Sequence, residues 1–214
     1  MIRLTVARYY TPAGRCIQKP YTRGEGGAKE VDMEEYHRDL IDRYNSGELM
    51  HEDSIHFPDS LAFKTNKLHR TVYGGGGIMP DYFVPLDTIR YTSYHSAIVS
   101  SGALNTTVSH YVDNNRKTLE KKYKNFEAFN QQFTVDENLQ KELIQEAEKV
   151  GVRYNDDDFQ KSKSYIFLQL KALIARDIWE QGNYYQVINT INSSYLKALE
   201  VLNTSLYEDK LRRP

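Results

Sequence analysis

The sequence predicts an α+β protein, with strands and loops at the N-terminal end and an all-helical C-terminal region. The stretch IRLTVARYY, residues 2–10, is rich in β-branched and aromatic residues in an alternation typical of a strand. From about Thr92 onward, apolar residues recur instead at the three- and four-residue spacing of amphipathic helices. We therefore predict two domains, at residues 1–90 and 91–214.

Turn and loop signals divide the N-terminal domain into short elements. Thr11–Gly14 combines proline and glycine in the order of a turn, so RCIQKPY at 15–21 is predicted to be a return strand. The apolar residues of DMEEYHRDLIDRYNSG, residues 32–47, fit a short amphipathic helix that ends at its last glycine. YFVPLDT at 82–88 is predicted to be extended, and its proline confines it to a sheet edge or a strand end.

The C-terminal domain carries clear helix signals. Asp136 is a predicted N-cap and Gly151 a predicted stop for one helix. Asn155 is predicted to cap the next helix, whose first turn, Asp156–Asp158, places three carboxylates at the positive end of the helix dipole. A last helix is predicted from Tyr184 to Leu202. The apolar stripes of these helices are Leu139, Leu143, Ala147 and Val150; Ile166, Leu170, Leu173, Ile174 and Ile178; and Tyr184, Val187, Ile188, Ile191, Tyr195, Leu199 and Leu202.

The overall composition argues against several classes of protein. A formal net charge of −1 lacks the basic excess of a nucleic-acid-binding protein. Cys16 is the single cysteine, so the chain has no internal disulfide and no multi-cysteine metal site. No apolar run approaches the ~20 residues that a membrane-spanning helix needs. Nucleic acid is therefore not an expected partner, and no membrane span is expected in this chain.

Four consecutive glycines, Gly74–Gly77, form the most unusual passage of the sequence. A P-loop would continue into lysine and serine or threonine, whereas these glycines run into Ile78-Met79-Pro80-Asp81. A dinucleotide fingerprint would open a helix, whereas a proline and an extended segment follow here. We therefore expect a crossing of strands at which another backbone comes too close for a Cβ atom.

The histidine and acidic clusters of the sequence do not have the spacing of a metal-binding site. HEDSIH, residues 51–56, contains metal-ligand residue types, but its histidines do not share a helical face, so a surface loop is expected. The run Asp156–Asp158 lacks the glycine and the terminal glutamate of a calcium loop. His95 and His110 are expected on the first helix of the C-terminal domain, too far apart to share a ligand. The sequence therefore predicts no metal ligand and no cofactor.

Two serine–lysine neighbours invite a catalytic interpretation. Ser60 precedes Lys64, and Ser162 precedes Lys163, but none of these serines lies in a Gly-x-Ser-x-Gly elbow or an oxyanion-forming turn. We therefore predict no catalytic residue and no cofactor-binding residue in the chain.

Two stretches resemble the carboxy-terminal processing proteases, also called tail-specific proteases. LTVARYYTPAGRCIQ, residues 4–18, matches a strand that in this family directly follows the catalytic lysine. GGGGIMPD, residues 74–81, is similar to a Gly-Ile-x-Pro-Asp motif that closes the protease core. The resemblance implies that residues 1–90 are the C-terminal portion of a protease core with a long insertion at 19–73, and that 91–214 form a helical tail domain.

The resemblance also implies where the catalytic residues are. The family's nucleophilic serine, its lysine base and its PDZ domain all precede the matching strand, so none of them is carried over to a residue here. The chain is therefore expected to be a C-terminal fragment, with Met1 an artificial boundary, and to be inactive alone. The parent protein would be a bacterial serine endopeptidase with a Ser/Lys dyad that cleaves near protein C-termini. It would act in the periplasm or cell envelope.

An alternative function comes from the helical tail itself. Its several apolar stripes and many tyrosines suit a stand-alone module that binds a partner protein or a second protomer. Residues 2–10 would also expose an unpaired strand edge if their native neighbour were missing. A homo-oligomer is therefore a further expectation.

Overall fold

The computed structural model describes residues 6–18, 38, 41–87 and 90–208, and the chain divides into two compact units. The first comprises Met1–Leu86 together with Lys197–Pro214, and the second comprises Asp87–Leu196. The first contains a small antiparallel sheet, and the second is helical. The predicted α+β class, with strands near the N-terminus and a helical C-terminal region, is confirmed.

The N-terminal unit is built on a β-hairpin. Strand β1, Ala62–Lys64, pairs with strand β2, Thr71–Tyr73, so that Phe63 lies opposite Val72. The predicted turn at Thr11–Gly14 is present, and an isolated antiparallel bridge between Tyr10 and Cys16 flanks it. Residues 41–45 are helical and a turn follows at Gly47, which has a φ of 83°, as predicted for the end of that helix. The earlier part of the predicted helix and the predicted loop at 22–28 lie outside the described residues.

The predicted strand at 2–10 is not seen as a regular strand in the part of it that the structure describes. Residues 6–9 have no strand assignment, and only Tyr10 forms a bridge; residues 2–5 lie outside the described chain. Val6 and Tyr9 are 86% and 89% exposed. A strand requires a neighbour to accept its ladder of hydrogen bonds, and none of the described residues pairs with 6–9.

The first helix of the helical unit begins at Ser93, and short and long helices follow in succession. Helix α5 is the longest, and it packs against α1, α2, α3 and α6, while α2 also packs against α4. The helices are α1, Ser93–Ser100; α2, Ala103–Lys122; α3, Phe126–Gln132; α4, Glu137–Lys149; α5, Asp156–Ile178; and α6, Gln181–Ile188; they are followed by α7, Ser193–Asn203, which continues into the first unit.

The predicted stripes of α4 and α5 supply much of the core of this unit, whereas Tyr195, Leu199 and Leu202 of the third predicted stripe are exposed. Leu143 and Ile166 are fully buried, as are the aromatic rings of Phe129 and Phe159. Phe129 stacks on Phe133 with ring centroids 4.6 Å apart. Val150, which was predicted to continue the stripe of α4, is 54% exposed because the helix ends at Lys149.

Two helix boundaries differ from the sequence prediction. The helix predicted from Tyr184 to Leu202 is divided into α6 and α7. The break falls in NTINSS, where polar side chains compete for the backbone; the side chain of Asn192 accepts from Tyr195 N at 3.0 Å and begins α7. His95 and His110, expected on one helix, lie on α1 and α2, which are separated by Gly102 with a φ of 79°.

The predicted N-caps are both formed. Asp136 Oδ1 accepts from Leu139 N at 2.9 Å, and Asn155 Oδ1 accepts from Asp158 N at 3.0 Å. We expect Asp136→Ala to lower the free energy of unfolding by about 0.5–2 kcal/mol, because the first turn of α4 loses its side-chain acceptor. Urea denaturation checks this, with Asp136→Asn as the control that keeps an acceptor. An equal loss in the Asn variant would show that the cap is not responsible.

None of the helices in the described part of the chain is long and apolar enough to cross a membrane.

Candidate functional site

The four glycines cross the backbone of the segment that follows the Thr11–Gly14 turn. Gly75 N donates to Cys16 O at 2.9 Å, and Gly77 N donates to Ile17 O at 2.8 Å. We call this arrangement, Gly74–Gly77 against Arg15–Ile17, the glycine crossing. On the other side, Gly74 N donates to Leu61 O at 3.0 Å, next to the start of β1. The glycine run thus lies between two other backbone segments.

The close approach explains why glycine stands at position 74. A Cβ atom there would lie 2.9 Å from Cys16 O and 3.0 Å from Arg15 Cγ. Backbone oxygen has little freedom to move away, so any larger residue would push the segments apart. The predicted close backbone approach at the glycines is therefore present at Gly74. Gly75 and Gly77 have φ values of 81° and 101°, which favour glycine for a separate reason.

An arginine contact holds the chain on each side of the glycine run. Arg15 Nη1 donates to Tyr73 O at 3.2 Å, which connects the turn to strand β2. Arg70, at the other end of β2, forms an ion pair with Asp81. Asp81 is the last residue of the GGGGIMPD stretch, so this ion pair fixes the chain just after the glycines.

The geometry argues against a phosphate-binding loop. Phosphate cradles offer free backbone N–H groups to the ligand. Here the N–H groups of Gly74, Gly75 and Gly77 all donate to backbone carbonyls of the chain itself. The glycine crossing is therefore an element that holds chain segments together, and it offers few donors to a nucleotide.

Neither serine–lysine pair is assembled. Ser60 lies in a short 3-10 turn, and Lys64 Nζ donates to Thr71 Oγ1 at 2.7 Å. Ser162 is buried and donates to Asp158 O at 2.7 Å. Lys163 Nζ lies over the rings of Phe159 and Phe167, at 5.8 and 5.3 Å from their centroids. The lysine amines are thus placed on other partners.

The histidine cluster HEDSIH does not gather metal ligands. Glu52–Ser54 form a single 3-10 turn, and His56 Nδ1 is 3.0 Å from Ser54 O. Within the described ranges, no group of three or more histidine, cysteine, aspartate or glutamate side chains is placed to hold a metal ion.

A buried polar cluster in the helical unit was not predicted from the sequence. His95 is only 4% exposed, and its Nε2 lies 2.8 Å from Gln169 Oε1 on α5. Thr92 caps α1 by accepting from His95 N at 3.2 Å, and its hydroxyl donates to Ser162 Oγ at 3.2 Å. The cluster therefore fastens α1 to α5. The N-cap role of Thr92 is the part of this cluster that a local sequence signal could have indicated. Nothing local indicates that His95 meets Gln169.

Several tyrosines of the helical unit ionise less readily than free tyrosine. Burial, followed by a hydrogen bond to Asp156, raises the pKa of Tyr154 to about 12 from an ordinary value of 10.0. Burial, followed by a hydrogen bond to Tyr91, also raises the pKa of Tyr165. Burial raises the pKa of Tyr94 and Tyr184 in the same direction. These hydroxyls are therefore held neutral by the fold.

The raised tyrosine pKa values predict alkaline destabilisation. The unfolded chain releases tyrosine protons near pH 10.0, whereas the folded chain retains that of Tyr154 to about pH 12. The contribution of Tyr154 to the free energy of unfolding is therefore fully present below pH 10.0 and is lost as the pH rises from there to about 12. Urea midpoints measured across the interval should fall, and Tyr154→Phe should reduce the fall. A midpoint that stays constant above pH 10.0 would contradict this expectation.

Comparison with known proteins gives one partial match. The profile of a family of unknown function (DUF8443) matches residues 94–180, which lie within the helical unit. The match covers less than half of the chain and lies outside the two stretches that resemble a protease. No curated protein and no solved structure matches the chain.

Proposed function

We propose that this chain is the C-terminal part of a carboxy-terminal processing serine endopeptidase. The observation that carries the proposal is the glycine crossing. The two stretches that resemble the protease, residues 4–18 and 74–81, bond to each other through Gly75 N and Cys16 O, and through Gly77 N and Ile17 O. In a protease core both stretches would belong to one structural unit, and a meeting of the two supports that assignment.

Exposed apolar side chains in the N-terminal unit also support the proposal. Among the described residues of this unit, only Gly74 and Val201 are buried. Val6, Tyr9 and Ile78 are largely exposed. A segment that buries so few of its residues suits one that packs against further protein, because a domain that folds alone has a hydrophobic core of its own. The remainder of a protease core would supply that protein.

In the proposed parent enzyme, this chain contributes scaffold and no reacting group. A serine outside residues 1–214 would attack the peptide carbonyl, and a neutral lysine would accept its proton and pass it to the leaving amine. Water would then release the acyl group from the serine, while backbone N–H groups stabilise the oxyanion. The glycine crossing would hold residues 15–17, at the end of the stretch that follows the lysine, and would thereby help to position the lysine.

Peptide hydrolysis tests the proposal. The native polypeptide would be isolated from source cells with antibodies against residues 91–214 and assayed on a fluorogenic peptide, beside the pure chain 1–214. We expect hydrolysis by the native polypeptide and none by the chain alone. Absence of hydrolysis by the native polypeptide would contradict the protease assignment, and hydrolysis by the chain alone would contradict its inactivity.

A specific observation also favours an interaction role for the C-terminal end. Helix α7 presents Tyr195, Leu199 and Leu202 on one face, and all of them are exposed. We propose as a second candidate that this face pairs with a helix of another protomer.

Sedimentation of matched variants tests this second candidate. Leu202→Glu should convert an associating chain into a monomer, because it places a charge on the apolar face. Ser193→Glu, which adds the same charge at the start of α7, should leave association unchanged. A wild-type chain that stays monomeric at high concentration would rule out pairing through α7.

A further inference from the structure

The N-terminal unit contains an open pocket beside the glycine crossing. It has a volume of about 450 Å³ and lies between the Thr11–Gly14 turn and the loop that joins β1 to β2. This volume falls within the range of about 300–1,000 Å³ that is typical of small-molecule sites. Asn66 Nδ2 donates to Pro12 O at 3.3 Å and so ties one wall to the other.

The pocket combines an apolar lining with positive charge. Pro12, Ala13, Leu68 and Val72 are apolar residues that line it, and no acidic residue is among the lining residues that the structure describes. The charged side chains that line it are Arg15, Lys67 and Arg70.

Within the described chain, two of these three cations have no ion-pair partner. Arg70 is neutralised by Asp81. Arg15 donates to Tyr73 O, but its Nε is buried without an acceptor, and it forms no ion pair with the described carboxylates. Lys67 is exposed and has no hydrogen-bond or ion-pair partner within the described chain. A ligand that supplies a carboxylate would be favoured here, because it would give Arg15 and Lys67 an opposite charge as partner.

We propose that this pocket binds a carboxylate carried on an apolar body. The carboxylate would lie between Arg15 and Lys67, and the apolar body would contact Leu68 and Val72. A free phosphate suits the site less well, because it would leave the apolar lining without a partner. Two sources present the proposed chemistry, an aliphatic acid and the C-terminus of a peptide. The proposal does not depend on the protease assignment.

Titration of the ¹⁵N-labelled chain 1–214, followed by NMR, tests the proposal and separates the sources. The probes are octanoate, an acetylated peptide ending in Leu-Ala-Ala with a free carboxylate, the same peptide as the C-terminal amide, and inorganic phosphate. We expect octanoate or the acid peptide to shift the amide signals of Ala13, Lys67 and Leu68, and the amide peptide to leave them in place. Whichever of octanoate and the acid peptide binds more tightly identifies the source of the carboxylate.

Two substitutions in the pocket and one control outside it test whether the carboxylate binds there. Lys67→Gln should weaken binding about two- to fivefold, as loss of an exposed ion pair does. Lys64→Gln removes a lysine of the same hairpin that does not line the pocket, and should leave the affinity unchanged. Leu68→Asp should abolish binding, because it places a negative charge against the ligand. Equal binding of acid and amide peptides, equal effects of both lysine substitutions, or the same shifts with phosphate would overturn the proposal, as would no shift with either acid.

Discussion

Gly74→Ala is expected to destabilise the N-terminal unit by about 1–3 kcal/mol, the usual cost of forcing an extra carbon into a packed site. The added Cβ would lie 2.9 Å from Cys16 O, and the backbone must move to accept it. The hydrogen bonds of Gly75 and Gly77 to residues 16 and 17 should weaken as a result. Hydrogen exchange of these two amides, measured in the intact chain, reports the effect directly.

Gly76 provides a matched control for this substitution. A Cβ at Gly76 would meet no atom within 4 Å, and its φ is not in the left-handed region. Gly76→Ala should therefore leave the exchange of both neighbouring amides unchanged, or slow it by restricting the unfolded chain. If the two alanine variants exchange equally fast, the glycine run is not required for close approach.

Leu143→Ala is expected to lower the stability of the helical unit by about 2–5 kcal/mol. Leu143 is fully buried on α4, within the core that α2, α4 and α5 contribute to. Removal of its isobutyl group leaves a cavity that its neighbours fill only in part. Urea denaturation followed by far-ultraviolet circular dichroism measures the loss, since this unit supplies most of the helical signal.

Leu196→Ala is the control with the same chemical change at an exposed position of the same unit. Leu196 is 45% exposed on α7, so the substitution should change the free energy of unfolding by about 0.5 kcal/mol or less. Equal losses in the two variants would mean that the burial of Leu143 is not what stabilises the unit.

Local signals in the sequence were sufficient to predict many of the helices of the helical unit and their caps. Asp136 and Asn155 were predicted as caps because a short polar side chain before an apolar stripe satisfies free N–H groups. The same logic failed at NTINSS, where polar residues inside a long apolar stripe ended one helix and began another. The stripe alone does not reveal such a break, because its period continues on both sides.

Contacts between residues far apart in the sequence could not be predicted in the same way. The glycines predicted a close backbone neighbour but did not identify it, and Arg15 and Tyr73 are separated by 58 positions. His95 likewise bonds with Gln169 across 74 positions. A single histidine on a helix carries no signal for its partner, because the partner depends on how two helices pack. The hydrogen bonds between the two protease-like stretches were not predicted either, since the resemblance gave only their order along the chain.

The most direct measurement is the mass and sequence of the native polypeptide, captured from source cells with antibodies against residues 91–214 and read by mass spectrometry. The proposal predicts a polypeptide well above 24.9 kDa. Its sequence before residue 1 should contain a serine in a Gly-Ser-x-Ser-Ala-like turn and a lysine shortly before the LTVARYY strand. A native polypeptide of about 24.9 kDa without these residues would contradict the protease assignment and leave the α7 interaction as the leading function.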